Sequence, residues 1–249
     1  MRKRYPSKRR RKVVLRKYFL FAIILIILYL FVFKTDYFSV KNIEVVGNKK
    51  LSNSEIIKAS LCNKGENILK VNTRTGEESI RRLPYVKDCK IKRKFPNTII
   101  IQVEERKEIA AIPYSNLVAL IDKEGYVLTI EKDSKNIKLP RLIGLSKVEV
   151  KIGDNVFHQV KIENIEQFIV LSDKLGLLDK IEYIDFSDEK NVTFQINQDT
   201  NVAFGHLDNV KYKLDFLIKI LEDLNKKKIK AKQIFFNKGE NPVIVTDNR

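Results

Sequence analysis

From Tyr18 to Phe33 the chain runs YFLFAIILIILYLFVF, sixteen residues with no charge, proline or glycine, bounded by Arg16-Lys17 and Lys34. A helix apolar on every side has no face to give to water, so it must lie inside protein or inside lipid. Its flank decides between the two. Arg2, Lys3, Arg4, Lys8, Arg9, Arg10, Arg11, Lys12, Arg16 and Lys17 stand in the first seventeen positions without one acidic residue, a block of charge that a buried core helix could not abut. A membrane helix over residues 18–34 is therefore expected. At about 1.5 Å per residue its uncharged core reaches roughly 24 Å of the roughly 30 Å hydrocarbon layer. Val13 to Leu15 and the snorkelling stems of Arg16, Lys17 and Lys34 supply the remainder. A cleaved signal peptide shares the basic start, but this run is longer and bulkier than an ordinary hydrophobic region. Lys34-Thr35-Asp36-Tyr37-Phe38 also offers no A-x-A-like cleavage site. The expectation is a retained anchor, with residues 1–17 as a cytoplasmic tail and everything from about residue 35 outside, by the positive-inside bias.

The tail also removes the function class that composition first suggests. A formal net charge of +17 over 249 residues would suit a nucleic-acid binder. Ten of the 48 basic residues lie in the tail, which leaves 38 against 31 acidic ones, or about +7 for the body. Topology and anionic lipid headgroups account for the tail, and no nucleic acid is expected. With 44% hydrophobic residues, the body can bury a core in one or two modest domains. Cys62 and Cys89, with the well-separated His158 and His206, form no zinc or redox motif, so no metal and no cofactor is expected. The two thiols are either small buried hydrophobes or, in an oxidising compartment, a disulfide.

Beyond the anchor, Val40 to Val46 reads as a strand closed by Gly47-Asn48. Ser52 and Glu55 form a capping box, with Leu51 and Ile56 as its hydrophobic staple and Ile56, Ile57 and Leu61 as the apolar face. A second helix is expected from Thr73–Thr75, with Thr75 and Glu78 as its capping box and an end before Pro84. Cys89, Ile91 and Phe95 at even spacing predict a strand. After Pro96-Asn97, Ile99, Ile101 and Val103 alternate with Ile100, Gln102 and Glu104. The order is β-α-α-β-β, a small open sheet with helices on one face.

Residues 117–130 predict a hairpin turning at Asp122-Lys123-Glu124-Gly125, and Leu139 to Gly144 interrupts the pattern. A helix is expected from about Gln159 to Leu175, ended by Gly176. Strands follow at 181–186, 192–196 and 202–204. Asp208 is the expected cap of a last helix whose stripe is Val210, Leu214, Leu217, Ile218, Leu221 and Leu224. Ile234–Phe236 and Val243–Val245 close the chain as a hairpin around Asn237–Pro242.

The segments VKNIEVVGN and LPYVKDCKIKRKFPNTIIIQVEERKEIAAI resemble the POTRA domain of the FtsQ/DivIB family of bacterial division proteins. The resemblance is carried above all by Leu83-Pro84-Tyr85-Val86, Phe95-Pro96-Asn97-Thr98 and Glu104-Glu105-Arg106. Ala119-Leu120-Ile121-Asp122 with Gly125, Leu139-Pro140 with Gly144, and Val202-Ala203-Phe204-Gly205 ahead of a helix with Lys211 and Lys213 resemble the same family's β domain. The end departs from it: Lys232-Gln233-Ile234-Phe235 stands where many relatives have an isoleucine-aspartate-leucine-arginine-like strand. The resemblance implies an α+β fold class. An N-terminal transmembrane helix would be followed by a β-α-α-β-β POTRA-like domain over 38–107, a second, mostly antiparallel α+β domain over 108–245, and a tail at 246–249. It implies a non-enzymatic scaffold at the division septum that joins FtsB/DivIC-like and FtsL-like bitopic proteins through the β domain and its last strands.

The residues themselves agree with a binding role. No nucleophile elbow, P-loop, Rossmann fingerprint or zinc motif occurs, and Glu77-Glu78, Glu104-Glu105 and Asp188-Glu189 stand where turns, helix starts and strand ends place solvated charge. A chain that ends on a strand offers unpaired N–H and C=O groups to a partner strand. The candidate contacts are Phe235, Phe236, Val243, Ile244 and Val245, with Lys211 and Lys213 as nearby cations; alternation turns about half of the strand residues inward. Two other classes stand beside this one. A membrane-anchored secretion or assembly chaperone would also use a POTRA domain, although no barrel follows here, and an extracytoplasmic wall-binding protein or enzyme would need a site that the motifs do not supply.

Overall fold

The computed structural model describes residues 8–132, 137–145, 148–197, 199–239 and 241–246, with side chains from residue 15. Arg2, Lys3 and Arg4 of the basic tail, Glu240 of the last turn and residues 247–249 of the expected C-terminal tail lie outside the described residues. Helix α1 spans Lys8–Lys34. Within it Leu15–Lys34, 20 residues of mean hydropathy 2.2, buries no residue, and only its last turn meets the first unit. At about 1.5 Å per residue this stretch is roughly 30 Å long, the thickness of a hydrocarbon layer. The chain forms two compact units: the residues up to Arg82 together with Val86–Glu105, and Leu83–Tyr85 together with the residues from Arg106 onward.

The first unit holds β1 (Asn42–Val46), α2 (Asn53–Ala59), α3 (Thr73–Ile80), β2 (Val86–Lys94) and β3 (Thr98–Glu105). Its sheet order is β1-β3-β2. β1 runs parallel to β3 with Asn42 opposite Thr98, and β2 runs antiparallel to it. Alternation on β3 buries Ile99, Ile101 and Val103 with Cys89 and Ile91 of β2 and with Ile56 and Ile80 of the helices. Phe95, read with Cys89 and Ile91 as part of the strand, lies just past β2 in the turn and is 56% exposed. The inward row ends at Ile91 because the Arg93 guanidinium turns to donate to the carbonyls of Ile68 (2.8 Å) and Val71 (2.6 Å).

The capping box of α2 is present: Glu55 N–H donates to Ser52 Oγ at 3.2 Å and Ser52 N–H to the Glu55 carboxylate at 2.9 Å. For α3 the expected Thr75–Glu78 box is corrected. The cap is Asn72, whose side-chain oxygen accepts from Thr75 N–H at 3.2 Å, and Glu78 pairs with Arg74 instead. The acidic pairs are also more than solvated charge. The Glu105 carboxylate accepts the backbone N–H groups of Lys49, Lys50 and Leu51 at 2.8, 2.7 and 2.9 Å, and Glu77 accepts that of Ile91 at 2.8 Å. Glu105 thereby clamps the loop that Gly47 opens. Gly47 has φ +95°, and a Cβ there would lie 2.1 Å from the Val103 carbonyl oxygen.

The second unit holds β4 (Ala110–Tyr114), β5 (Leu117–Ile121), β6 (Val127–Lys132), β7 (Arg141–Ile143), α4 (Ile165–Lys174), β8 (Ile181–Asp185), β9 (Val192–Ile196), β10 (Thr200–Gly205), α5 (Val210–Lys227), β11 (Ala231–Phe235) and β12 (Val243–Thr246). They form one nine-stranded sheet, β12-β11-β10-β9-β8-β7-β4-β5-β6. Five of its pairings are antiparallel and three parallel. Leu139–Gly144 therefore does more than interrupt a pattern. Its centre is β7, parallel to both neighbours, which splices the β4-β5-β6 meander to the remaining strands. β4 had no expected counterpart: Ala110, Ala111 and Ile112 are buried on both faces, so no alternation announces it.

The helix expected from Gln159 begins only at Ile165. Asn164 adopts the left-handed region (φ 61°) and donates its side-chain amide to Leu207 O at 2.9 Å, which leaves Val160 and Ile162 to pack on the core ahead of the helix. Asp208 is not the cap of α5 either. Asn209 holds that position without a side-chain cap, and Asp208 pairs with Lys213. Around Phe168 of α4, the rings of Phe204, Phe194 and Phe186 stand at 5.1, 5.8 and 6.4 Å between centroids.

The second unit opens on a buried ion cluster. Arg106 donates to Asp122 and, at 2.8 Å, to Glu124, and its guanidinium lies 3.9 Å from the centroid of the Tyr126 ring. Burial works against the Arg106 charge, and the hydrogen bonds to Asp122 and Glu124 outweigh it and raise its pKa. Asp122 also accepts the N–H groups of Glu124 (3.0 Å) and Tyr126 (2.9 Å), closing the β5–β6 turn.

Three outcomes follow for stability. Gly47→Ala forces both a left-handed alanine and a backbone clash, and is expected to cost about 2 kcal/mol or more in denaturant unfolding. Arg106→Met leaves the Asp122 charge buried and unpaired, a loss of about 3–5 kcal/mol. Arg106→Met combined with Asp122→Asn, which removes that charge but keeps the turn's acceptor, is expected to recover part of the loss.

Candidate functional site

Both helices of the second unit cover the same face of its sheet. Val202, Ile234, Phe194 and Phe204 point to that face and join the α4 and α5 residues in one core. Directly opposed residues share a face, so the register places the alternate residues on the other side. Val243, Phe235, Ala203 and Thr193 form one row there, and Val245, Gln233, Asn201 and Gln195 the next. At the β4–β5 end that opposite face carries its own cover, where Ala111, Val118 and Leu120 pack with Ile137 and Leu139.

The two edges of the sheet differ. β6 ends on the charged residues Glu131 and Lys132. Its beginning is bonded to a neighbouring loop, with Val127 N–H donating to Asp154 O and Gly153 N–H to Val127 O, at 2.9 and 2.8 Å. β12 carries three consecutive β-branched residues, Val243, Ile244 and Val245, exposed at 43, 39 and 42%. Such an edge is a template for a further strand.

The structure sorts the sequence candidates. Phe235, Val243 and Val245 lie on the uncovered face, with the Lys238 ammonium 3.9 Å from the Phe235 ring centroid. Ile244 is opposite Ile234 on the helix-covered face, yet stays exposed at the rim. Phe236 turns inward: it packs on the core 5.8 Å from the Phe204 ring, and its N–H donates to Ala203 O at 2.8 Å. Lys213 is held by the β10–α5 connection, donating to His206 O at 2.8 Å and to Asp208, whose pKa this hydrogen bond lowers. Its ammonium lies 5.3 Å from the Phe204 ring. Lys211 lines a shallow groove with Gln167, Asn209, Tyr212 and Asp215, none of them from β11 or β12. The strand residues are thus brought together, while Lys213 is tied to the β10–α5 connection and Lys211 lines a groove of its own. Lys238, in the turn after Phe235, does place a cation at the strands, and its position in that turn was the available signal.

Among the described residues no group of His, Cys, Asp and Glu could hold a metal ion. Cys62 and Cys89 are free and buried. Burial raises both thiols, Cys89 to about 11, so at neutral pH they stay protonated and poorly nucleophilic.

A membrane-length helix, a three-stranded β-α-α-β-β unit and a larger α+β sheet ending on an open strand define a POTRA-type chain with a sheet domain behind it. Residues 38–106 match the family model described as POTRA domain, FtsQ-type, and residues 110–235 match that of Cell division protein FtsQ/DivIB, C-terminal. β12 lies beyond the second match. Cell division protein DivIB of Clostridium tetani is 32% identical over 231 residues, covering 90% of this chain and 86% of the relative. Cell division protein DivIB of Clostridium acetobutylicum is 32% identical over 189 residues, 76% and 75% of the two chains. Cell division protein FtsQ of Syntrophotalea carbinolica is 24% identical over 198 residues, 77% and 68%. The chain belongs to the FtsQ/DivIB family of cell division proteins, which is not a known enzyme family.

Because the folded thiols lie above their ordinary range, native protein at pH 8 is expected to resist alkylation, and both cysteines to react once it is unfolded. Mass spectrometry of iodoacetamide-treated samples reads the difference.

Proposed function

We propose that this chain is a non-enzymatic bitopic scaffold of the divisome. α1 crosses the membrane with the basic tail in the cytoplasm, and a POTRA-like domain over 38–107 and a β domain over 108–245 stand outside the cell membrane at the septum. The β12 edge binds other bitopic division proteins, FtsB/DivIC-like and FtsL-like, and so helps to assemble septal wall synthesis. The observation that carries this reading is the open strand itself. Among the described residues Val243, Ile244 and Val245 are apolar, exposed and paired with a strand on one side only, at the rim of a sheet whose other edge ends on charges and begins against a loop. Main-chain pairing would supply affinity, and Val243, Val245 and Phe235 on one face would supply selection among partners. Basic residues before the anchor support the orientation, and membership in a division family supports the location.

Proline at Ile244 removes a donor from the strand. Ile244→Pro is expected to reduce capture of the FtsB/DivIC-like partner by at least tenfold while the first unit keeps its fold, and Val243→Glu with Val245→Glu is expected to do the same without altering the backbone. Undiminished capture by both variants in a pull-down with full-length protein would refute strand addition at this edge.

A further inference from the structure

The end of the first unit nearest α1 is tied to the helix at several points. Asn67 donates its side-chain amide to Val32 O at 2.6 Å, satisfying one of the carbonyls that a helix end leaves orphaned. Asn67 also bridges to Ser39, and Ile68 N–H donates to Phe38 O at 2.8 Å. The Lys70 ammonium stands 5.8 Å from the Phe33 ring. The turn from Glu66 to Lys70 therefore abuts the last turn of α1.

The sheet presents its β2–β3 turn at the same end. β1 begins just after α1, and the N–H groups of Lys41 and Asn42 both donate to Asn97 O, at 2.8 and 3.3 Å. Arg93 joins this turn to the Glu66–Lys70 turn through the carbonyls of Ile68 and Val71. Three large apolar side chains are exposed at this end: Tyr37 at 55%, Leu69 at 42% and Phe95 at 56%. Tyr37 also stacks on Phe31 of α1 at 5.6 Å. Exposed Lys34, Lys41, Lys70 and Lys94 lie within four residues of them in the chain, as do the acidic Asp36 and Glu66.

We propose that this end of the first unit is a membrane-surface contact: Tyr37, Leu69 and Phe95 enter the headgroup layer around α1, and Lys70 and Lys94 face lipid phosphates. The inference rests on the reading that α1 spans the membrane. A span of roughly 30 Å leaves Lys34 at the hydrocarbon boundary, and the headgroup zone beyond it is about 5–8 Å deep, so a turn bonded to Val32, about 3 Å inside Lys34, meets the inner edge of that zone. Amphipathic rings favour that zone and lysines gain from anionic headgroups there. The exposure of Phe95 in the β2–β3 turn then has a use. The domain is held against the bilayer by its own surface as well as by its tether.

The chain contains no tryptophan, so single tryptophans report cleanly. Full-length Leu69→Trp, Phe95→Trp, Ile24→Trp and Lys49→Trp would each be reconstituted in phosphatidylglycerol–phosphatidylethanolamine vesicles carrying nitroxide-labelled lipids. For Leu69→Trp and Phe95→Trp we expect blue-shifted emission and several-fold stronger quenching by a label near the headgroups than for Lys49→Trp, which stands beyond the far end of β1. Ile24→Trp, within α1, reports the span through a label near the bilayer centre. If Ile24→Trp is quenched but Leu69→Trp and Phe95→Trp both behave like Lys49→Trp, the surface contact is overturned and the span stands. If Ile24→Trp is not quenched, the span fails and the inference fails with it.

Discussion

Burial of one sheet face around Phe168 is the interaction on which the second unit depends. That ring touches aromatic neighbours from β9, β10 and the end of β8, and α4 and α5 supply the rest of the core on the same side. Burying side chains of this size contributes roughly 2–3 kcal/mol each, so the face on which the helices lie is not interchangeable with the other. Everything about the candidate edge follows from that asymmetry. Ile234 and Phe236 are spent on the core, Phe235 is left on the uncovered side, and β12 rides at the rim with few neighbours to cover it.

Two consecutive side chains mark the change from one unit to the next. Glu105 faces back into the first unit and clamps three backbone donors of the loop after β1. Arg106 belongs to the second unit and is buried among Asp122, Glu124 and Tyr126. A carboxylate gathering backbone N–H groups and a guanidinium gathering carboxylates are both charge-assisted arrangements, stronger than neutral hydrogen bonds. The motif Glu104-Glu105-Arg106, which in sequence reads as a polar strand end, is thus where each unit is secured.

Much of the fold was legible because local periodicity and end signals were strong. The capping box at Ser52 and Glu55, the alternation on β3, the stripe of α5 and the final hairpin appear where the residues place them. The failures have two causes: a better local cap next to the expected one, and a tertiary bond that outweighed a local preference. Asn72 displaced the Thr75 box as the cap of α3, Asn164 broke the helix expected from Gln159 by bonding to Leu207, and β2 ended at Lys94, before Phe95. β4 and β7 were missed because strands buried on both faces, or only three residues long, carry no period to read.

The sequence by itself determined the obligations of this protein: an apolar helix that cannot remain in water, a cationic flank, two α+β segments, and a β-branched strand at residues 243–245. The family relationship was legible there too, because its motifs are short and contiguous. Only the tertiary structure decided which side chains are free to act. Whether Phe235 or Phe236 faces outward depends on strand register against β10 and on the side that the helices cover. Whether Lys213 is available depends on Asp208 and the carbonyl of His206. Those are relations between residues distant in the chain, and no local period encodes them.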